Sequence, residues 1–122
     1  VPGLDAIREA YASADVFCLP SLQEGFGIVF LEAMAAGLPI VAGDAAAVPE
    51  VVRDGTTGLL VDPRDPDAVA GALLRLLEDE GLRRSMGRAG RREVERYDWP
   101  RVAERFLDAV ADLLPRGAGA AA

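Results

Sequence analysis

Apolar and polar positions alternate along the chain in two periods, short apolar runs between breakers and longer stretches with helical spacing. Residues 4–13 read as a helix with Leu4, Ile7 and Tyr11 on one face. Val16 to Leu19 is a short continuous apolar run, as expected of a parallel strand buried on both faces, and Pro20 ends it. Ile28 to Ala36 reads as a second helix, closed by Gly37 as a left-handed cap and followed by Pro39. Pro39 to Ala42 is a second buried strand, followed by a small-residue loop over Gly43 to Val48 and one helical turn at Pro49 to Arg53. The turn residues Asp54-Gly55-Thr56-Thr57-Gly58 lead into a third strand, Leu59 to Val61. Asp65 and Pro66 supply an N-cap and a first-turn proline for a helix to about residue 78. Val69, Leu73 and Leu77, with Ala70 and Leu74 beside them, form its expected apolar stripe. An Arg- and Glu-rich helix follows over about 80–96. Asp98 is placed to cap a last one, about 99–114, with Val102, Phe106, Ala109, Val110 and Leu113 inward and Pro115 as its stop.

Strand and helix in alternation define an α/β protein. Three short strands are few for an independent sheet, and no strand precedes the first helix, so the chain reads as half of a doubly wound domain. The domain is expected over residues 1–114, with 115–122 a disordered tail.

Composition narrows the function classes. The 122 residues carry a net charge of −7, which argues against nucleic acid as a partner. No apolar run approaches the roughly 18 residues of a membrane span, and no charged-then-apolar leader opens the sequence, so a soluble, cytoplasmic protein is expected. All 13 basic residues are arginine and there is no histidine, which removes the commonest general base and the compact phosphate-binding cation. Cys18, the single cysteine, lies inside the first apolar run and is expected as a small buried core residue. The arginines at 83, 84, 88, 91, 92 and 96 are interrupted by Glu93 and Glu95, and their helical spacing spreads them around a solvated helix.

The segment from Pro20 to Met34 carries the chemistry. It passes from the carboxyl end of a strand through a glycine-containing loop into a helix, the place where open α/β sheets bind ligands. Gly25 and Gly27 allow backbone N–H groups to approach a ligand, and the helix N-terminus adds unsatisfied donors suited to a phosphate; two glycines before a helix also serve ordinary turns. Glu32 is the one polar side chain in an otherwise apolar helix. It is read as a carboxylate facing a pocket, with an exposed stripe or an arginine pair as the alternative. Its two oxygens suit a vicinal diol such as ribose, and it lies roughly 7–8 Å along the helix from Gly27. Glu24 stands in the loop at the mouth of the same cleft.

These residues resemble the C-terminal signature of retaining GT-B glycosyltransferases, the glycosyltransferase family 4-like enzymes. The hallmark is a pair of glutamates separated by seven residues, which Glu24 and Glu32 match, with Glu24 opening Glu24-Gly25-Phe26-Gly27. The likeness extends through Ala14-Asp15-Val16, Pro20-Ser21, Glu32 to Val41, Pro49 to Val52, Asp54 to Val61 and Tyr97-Asp98-Trp99. It implies an α/β fold, the C-terminal half of a Rossmann-like doubly wound domain, with short parallel strands, flanking helices and a helical C-terminus.

The resemblance further implies that Glu32 binds the ribose of a nucleoside-diphosphate sugar. Glu24 takes the catalytic position beside the donor sugar, and Gly25, Phe26, Gly27 and Ile28 contact the sugar and its phosphate. The implied reaction transfers a hexose to an acceptor hydroxyl with retention, without metal or cofactor. The acceptor domain, expected to be N-terminal, and the diphosphate-binding cations are not in this sequence, so the isolated chain is expected to be inactive. The full-length parent is placed in the cytoplasm or peripherally at the inner membrane face, and Phe106, Val110 and Leu113 are expected to drive self-association. One departure is Ala45-Ala46-Ala47 where many members have glycine, which leaves that loop less free to take positive φ. The alternative is a non-catalytic α/β binding or structural module. A Rossmann cofactor binder fits less well, because no Gly-x-Gly-x-x-Gly with an acid about twenty residues on is present.

Overall fold

The computed structural model describes residues 2–21, 28–46, 48–101, 103–104 and 107–108. In chain order the elements are α1 (Pro2–Ser13), β1 (Phe17–Leu19), α2 (Ile28–Ala35), β2 (Ile40–Gly43), α3 (Val48–Val51), β3 (Gly58–Val61), α4 (Pro66–Glu78) and α5 (Glu80–Glu95). Helical backbone resumes at residue 99, where an Asp98 carboxylate oxygen accepts the Arg101 N–H at 3.2 Å. The core residues of that last helix, Val102, Phe106, Ala109, Val110 and Leu113, lie outside the described residues, as does the segment 115–122.

The three strands form a parallel sheet in the order β1-β2-β3. Phe17 pairs with Ile40, Leu19 with Ala42, Ile40 with Gly58 and Gly43 with Val61. Alternate residues serve opposite faces, which is why these runs are apolar throughout and why β2 is buried at every position. On one face Ile40 and Ala42 join Phe30, Leu31, Met34, Val48 and Val52, so α2 and α3 lie there. On the other, Val41 and Leu59 join Ala72 and Leu76 of α4 and Met86 of α5. Helix α5 belongs to both layers, because its Val94 packs in the first cluster.

Local signals set the helix ends. Gly37 takes φ +78°, its N–H donates to the Met34 carbonyl at 3.0 Å, and the Leu38 N–H donates to the Ala33 carbonyl at 3.1 Å. That pair of bonds is a Schellman motif, with Leu38 buried beneath it. Asp65 caps α4 by accepting from the N–H groups of Asp67 (3.0 Å) and Ala68 (3.2 Å). Asp79 caps α5 through the Leu82 N–H at 2.9 Å.

Three expectations are corrected. Cys18 is exposed, not buried. It shares a sheet face with its register partner Val41, but α4 lies over β2 and β3, which leaves that face of β1 uncovered. The α4 stripe is turned by one residue: Ala72 and Leu76 are buried with Leu73 packed beside them, while Leu74 and Leu77 are 55% and 53% exposed. The small Ala72 lets the helix approach the sheet on its own side, and at 100° per residue that choice carries Leu77 outward. In α1, Ile7 is 51% exposed whereas Tyr11 is half-buried, so the expected face is not covered at Ile7; the Leu4 side chain lies outside the described ones.

Candidate functional site

In a parallel sheet all the carboxyl ends of the strands open on one edge, here after Leu19, Gly43 and Val61. Pro20 and Ser21 leave β1 there, and α2 begins there at Ile28 before running back beneath the sheet. Gly43 is required at this edge. A Cβ on it would lie 2.7 Å from the Ser21 carbonyl oxygen and 2.9 Å from the Pro63 side chain, so a larger residue would push the strand ends apart. The backbone then turns through Asp44, whose N–H donates to the Val61 carbonyl at 2.7 Å. It continues through Ala46, which adopts φ +52°. The loop thus takes the left-handed conformation although alanine stands where glycine was the expected residue.

Of the site residues read from the sequence, Glu24, Gly25, Phe26 and Gly27 lie outside the described residues. Ile28 is the first residue of α2, half-buried, and Glu32 follows one turn later, about 6 Å along the axis. Helix α2 buries Phe30, Leu31, Ala33 and Met34, whereas Glu32 and Ala35 are exposed on its open side. Glu32 therefore stands on an exposed strip, the alternative reading of its spacing, and not within a helix covered all round. It is not free there: its Oε2 accepts a hydrogen bond from the Tyr11 hydroxyl at 3.1 Å.

Tyr11 is held in turn by aromatic packing. Its ring stacks on Phe17 with centroids 6.1 Å apart, and Phe17 meets the fully buried Phe30 edge-on at 5.9 Å. Burial, then the hydrogen bond to Glu32 and its negative charge, raise the phenol above its ordinary value of 10.0, so it stays a donor at neutral pH. Nothing in the spacing of Tyr11 and Glu32 announces this pair, because the two residues are 21 positions apart on different helices.

Among the described residues, two shallow clefts lie elsewhere, toward the carboxyl end of α2. One, of about 380 Å³, is lined by Ala35, Arg91, Val94, Glu95 and Trp99. The other, of about 250 Å³, is lined by Gly37, Arg84, Gly87, Arg88 and Arg91, with Ala36. Two of the lining arginines make local contacts. Arg84 pairs with Glu80 at 2.8 Å, and Arg91 lies across Gly37 at the negative end of α2. Arg83 donates to the carbonyls of Leu76 and Leu77, both at 2.8 Å, at the end of α4.

The family described as glycosyl transferases group 1 matches residues 1–93. The phosphatidyl-myo-inositol mannosyltransferase of Mycobacterium leprae is 48% identical over 99 residues, 80% of this chain and 26% of that protein. Among solved structures, a sucrose-phosphate synthase from Thermosynechococcus elongatus superposes with a TM-score of 0.75 at 34% identity, covering 89% of this chain and 28% of that one. Anabaena Alr3699/HepE in complex with UDP gives a TM-score of 0.72 at 25% identity, covering 87% and 30%.

Proposed function

This chain belongs to the glycosyl transferases group 1 family, with the fold of the C-terminal part of a GT-B glycosyltransferase, and from that premise we propose that it is the donor-binding portion of a retaining enzyme. Such an enzyme moves a hexose from a nucleoside-diphosphate sugar to an acceptor hydroxyl. The observation that carries the reading is Glu32, exposed one turn into α2 at the carboxyl edge of a parallel sheet and already anchored through one oxygen. A carboxylate has about four acceptor lone pairs, so Glu32 keeps enough to take both hydroxyls of a ribose. HepE, a chain of the same fold, is found in complex with UDP, which supports a nucleotide as the class of ligand.

Within this proposal Glu24 contacts the donor sugar near the reacting carbon. Gly25 to Ile28 offer backbone N–H groups at the start of α2, where a phosphate gains from unsatisfied donors and the positive end of the helix dipole. Charge developing on the leaving diphosphate is stabilised by these groups and by cations of the parent enzyme, without a metal. The chain spans 19% and 26% of the lengths of two of its curated relatives. We therefore propose that it binds donor without transferring the sugar, and that an acceptor-binding domain completes the site in a parent that works in the cytoplasm or at its membrane face.

Titration with nucleoside diphosphates, followed by NMR, tests the reading. The chain binds with a millimolar or tighter dissociation constant, and Glu32→Ala weakens binding about 10-fold or more, as expected when hydrogen bonds to a charged acceptor are lost. A folded chain whose affinity is untouched by Glu32→Ala would dismiss the ribose role.

A further inference from the structure

We infer that Tyr11 is a positioning residue for the nucleotide site, holding the Glu32 carboxylate in the orientation that accepts a ribose diol; this rests on the donor-binding reading above. An exposed glutamate otherwise samples many rotamers, and fixing it on binding costs side-chain entropy. Here the orientation is set before any ligand arrives. The phenol reaches Oε2 at 3.1 Å and takes one of its two lone pairs, so Oε1 and the second Oε2 lone pair remain for two adjacent hydroxyls.

The placement of the phenol is built outward from the core. Phe30 is fully buried on the same helix as Glu32, Phe17 packs edge-on against it, and the Tyr11 ring stacks on Phe17 at an interplanar angle of 22°. Ring, hydroxyl and carboxylate thus close a circuit from α2 through β1 and α1 and back to α2. Its neighbours Arg8, Glu9 and Ala10 are exposed, and among the described side chains of α1 Tyr11 is the half-buried one that reaches the site. The raised phenol keeps its proton, so it acts as a donor to Glu32 throughout the neutral range.

A bond that only tied α1 to α2 would affect all ligands alike, whereas a positioning bond matters for the diol. The chain, Tyr11→Phe and Glu32→Ala are titrated with UDP, GDP and ADP and with the 2′-deoxy counterpart of whichever binds best. Tyr11→Phe keeps the stacked ring, and an unchanged thermal melt establishes that it folds.

The expected result is that the unmodified chain prefers the ribonucleotide and that Glu32→Ala erases the preference. Tyr11→Phe weakens the ribonucleotide by about 5-fold while leaving the deoxy affinity in place, so that the ratio collapses. An unchanged ratio in Tyr11→Phe, or an equal loss for both ligands, overturns the positioning role while leaving the donor reading intact. A preference that survives Glu32→Ala, or no binding by the unmodified chain, overturns the donor reading and the inference with it.

Discussion

Ala46 carries the clearest backbone strain among the described residues, the one non-glycine there with positive φ. A left-handed residue with a Cβ costs about 1–2 kcal/mol relative to glycine, and glycine gives back about 0.4–1 kcal/mol through greater freedom in the unfolded chain. Ala46→Gly should therefore stabilise the protein by roughly 0.5–1 kcal/mol, read as a higher urea midpoint with an unchanged slope. A lower midpoint would mean that the alanine methyl has packing partners worth more than the strain. The sequence could mark this loop as unusual from its three alanines, but not which of them turns left-handed, because that depends on the crossing of Asp44 to Val61. Glu32 shows the same division. Its isolation in an apolar helix was visible in the sequence, whereas its exposure and its bond to Tyr11 come from where α1 lies. Cys18 was misplaced for a related reason: an apolar run establishes a strand, not what covers each of its faces.

At the scale of elements, the approach of α5 to the end of α2 depends on Gly87. A Cβ on Gly87 would collide with the Gly37 carbonyl oxygen, whereas one on Gly90 would make ordinary contact with Met34 at 3.4 Å. Gly87→Ala should accordingly separate the helices and cost about 2–3 kcal/mol, as overpacking against rigid backbone does. Gly71, in the middle of α4, is the contrast: nothing lies within 4 Å of its added Cβ, so Gly71→Ala should stabilise by about 1 kcal/mol from helix propensity. Thermal melts of the two variants should shift in opposite directions, and a shared direction would refute the packing explanation. The caps at Asp65-Pro66 and at Gly37 before Pro39 were legible in the sequence because they act within a few residues. The role of Gly87 was not, since helical glycine shows its purpose only through the neighbour it admits. The facing of α4 failed by one position because Val69 and Leu73 fit either stripe, and only the sheet chooses between Leu76 and Leu77.

At the scale of the whole molecule, three short parallel strands with flanking helices were readable from the alternation of apolar runs and helical stretches. The joining of the two helical layers was not. Helix α5 places Met86 in the cluster beneath α4 and Val94 in the cluster beneath α2, so one rigid rod has a foot on each side of the sheet. A fluctuation that lifts α5 exposes both cores at once, and neither layer can open far while it stays down. Amide protons of α2 and α4, although on opposite faces, should therefore exchange with solvent deuterium at a common opening free energy. Exchange of α4 at a distinctly lower free energy than α2 would show two separable folding units. The single helix thus makes a small sheet open as one unit, and a protease working on that opened state would find the two halves of the chain vulnerable together.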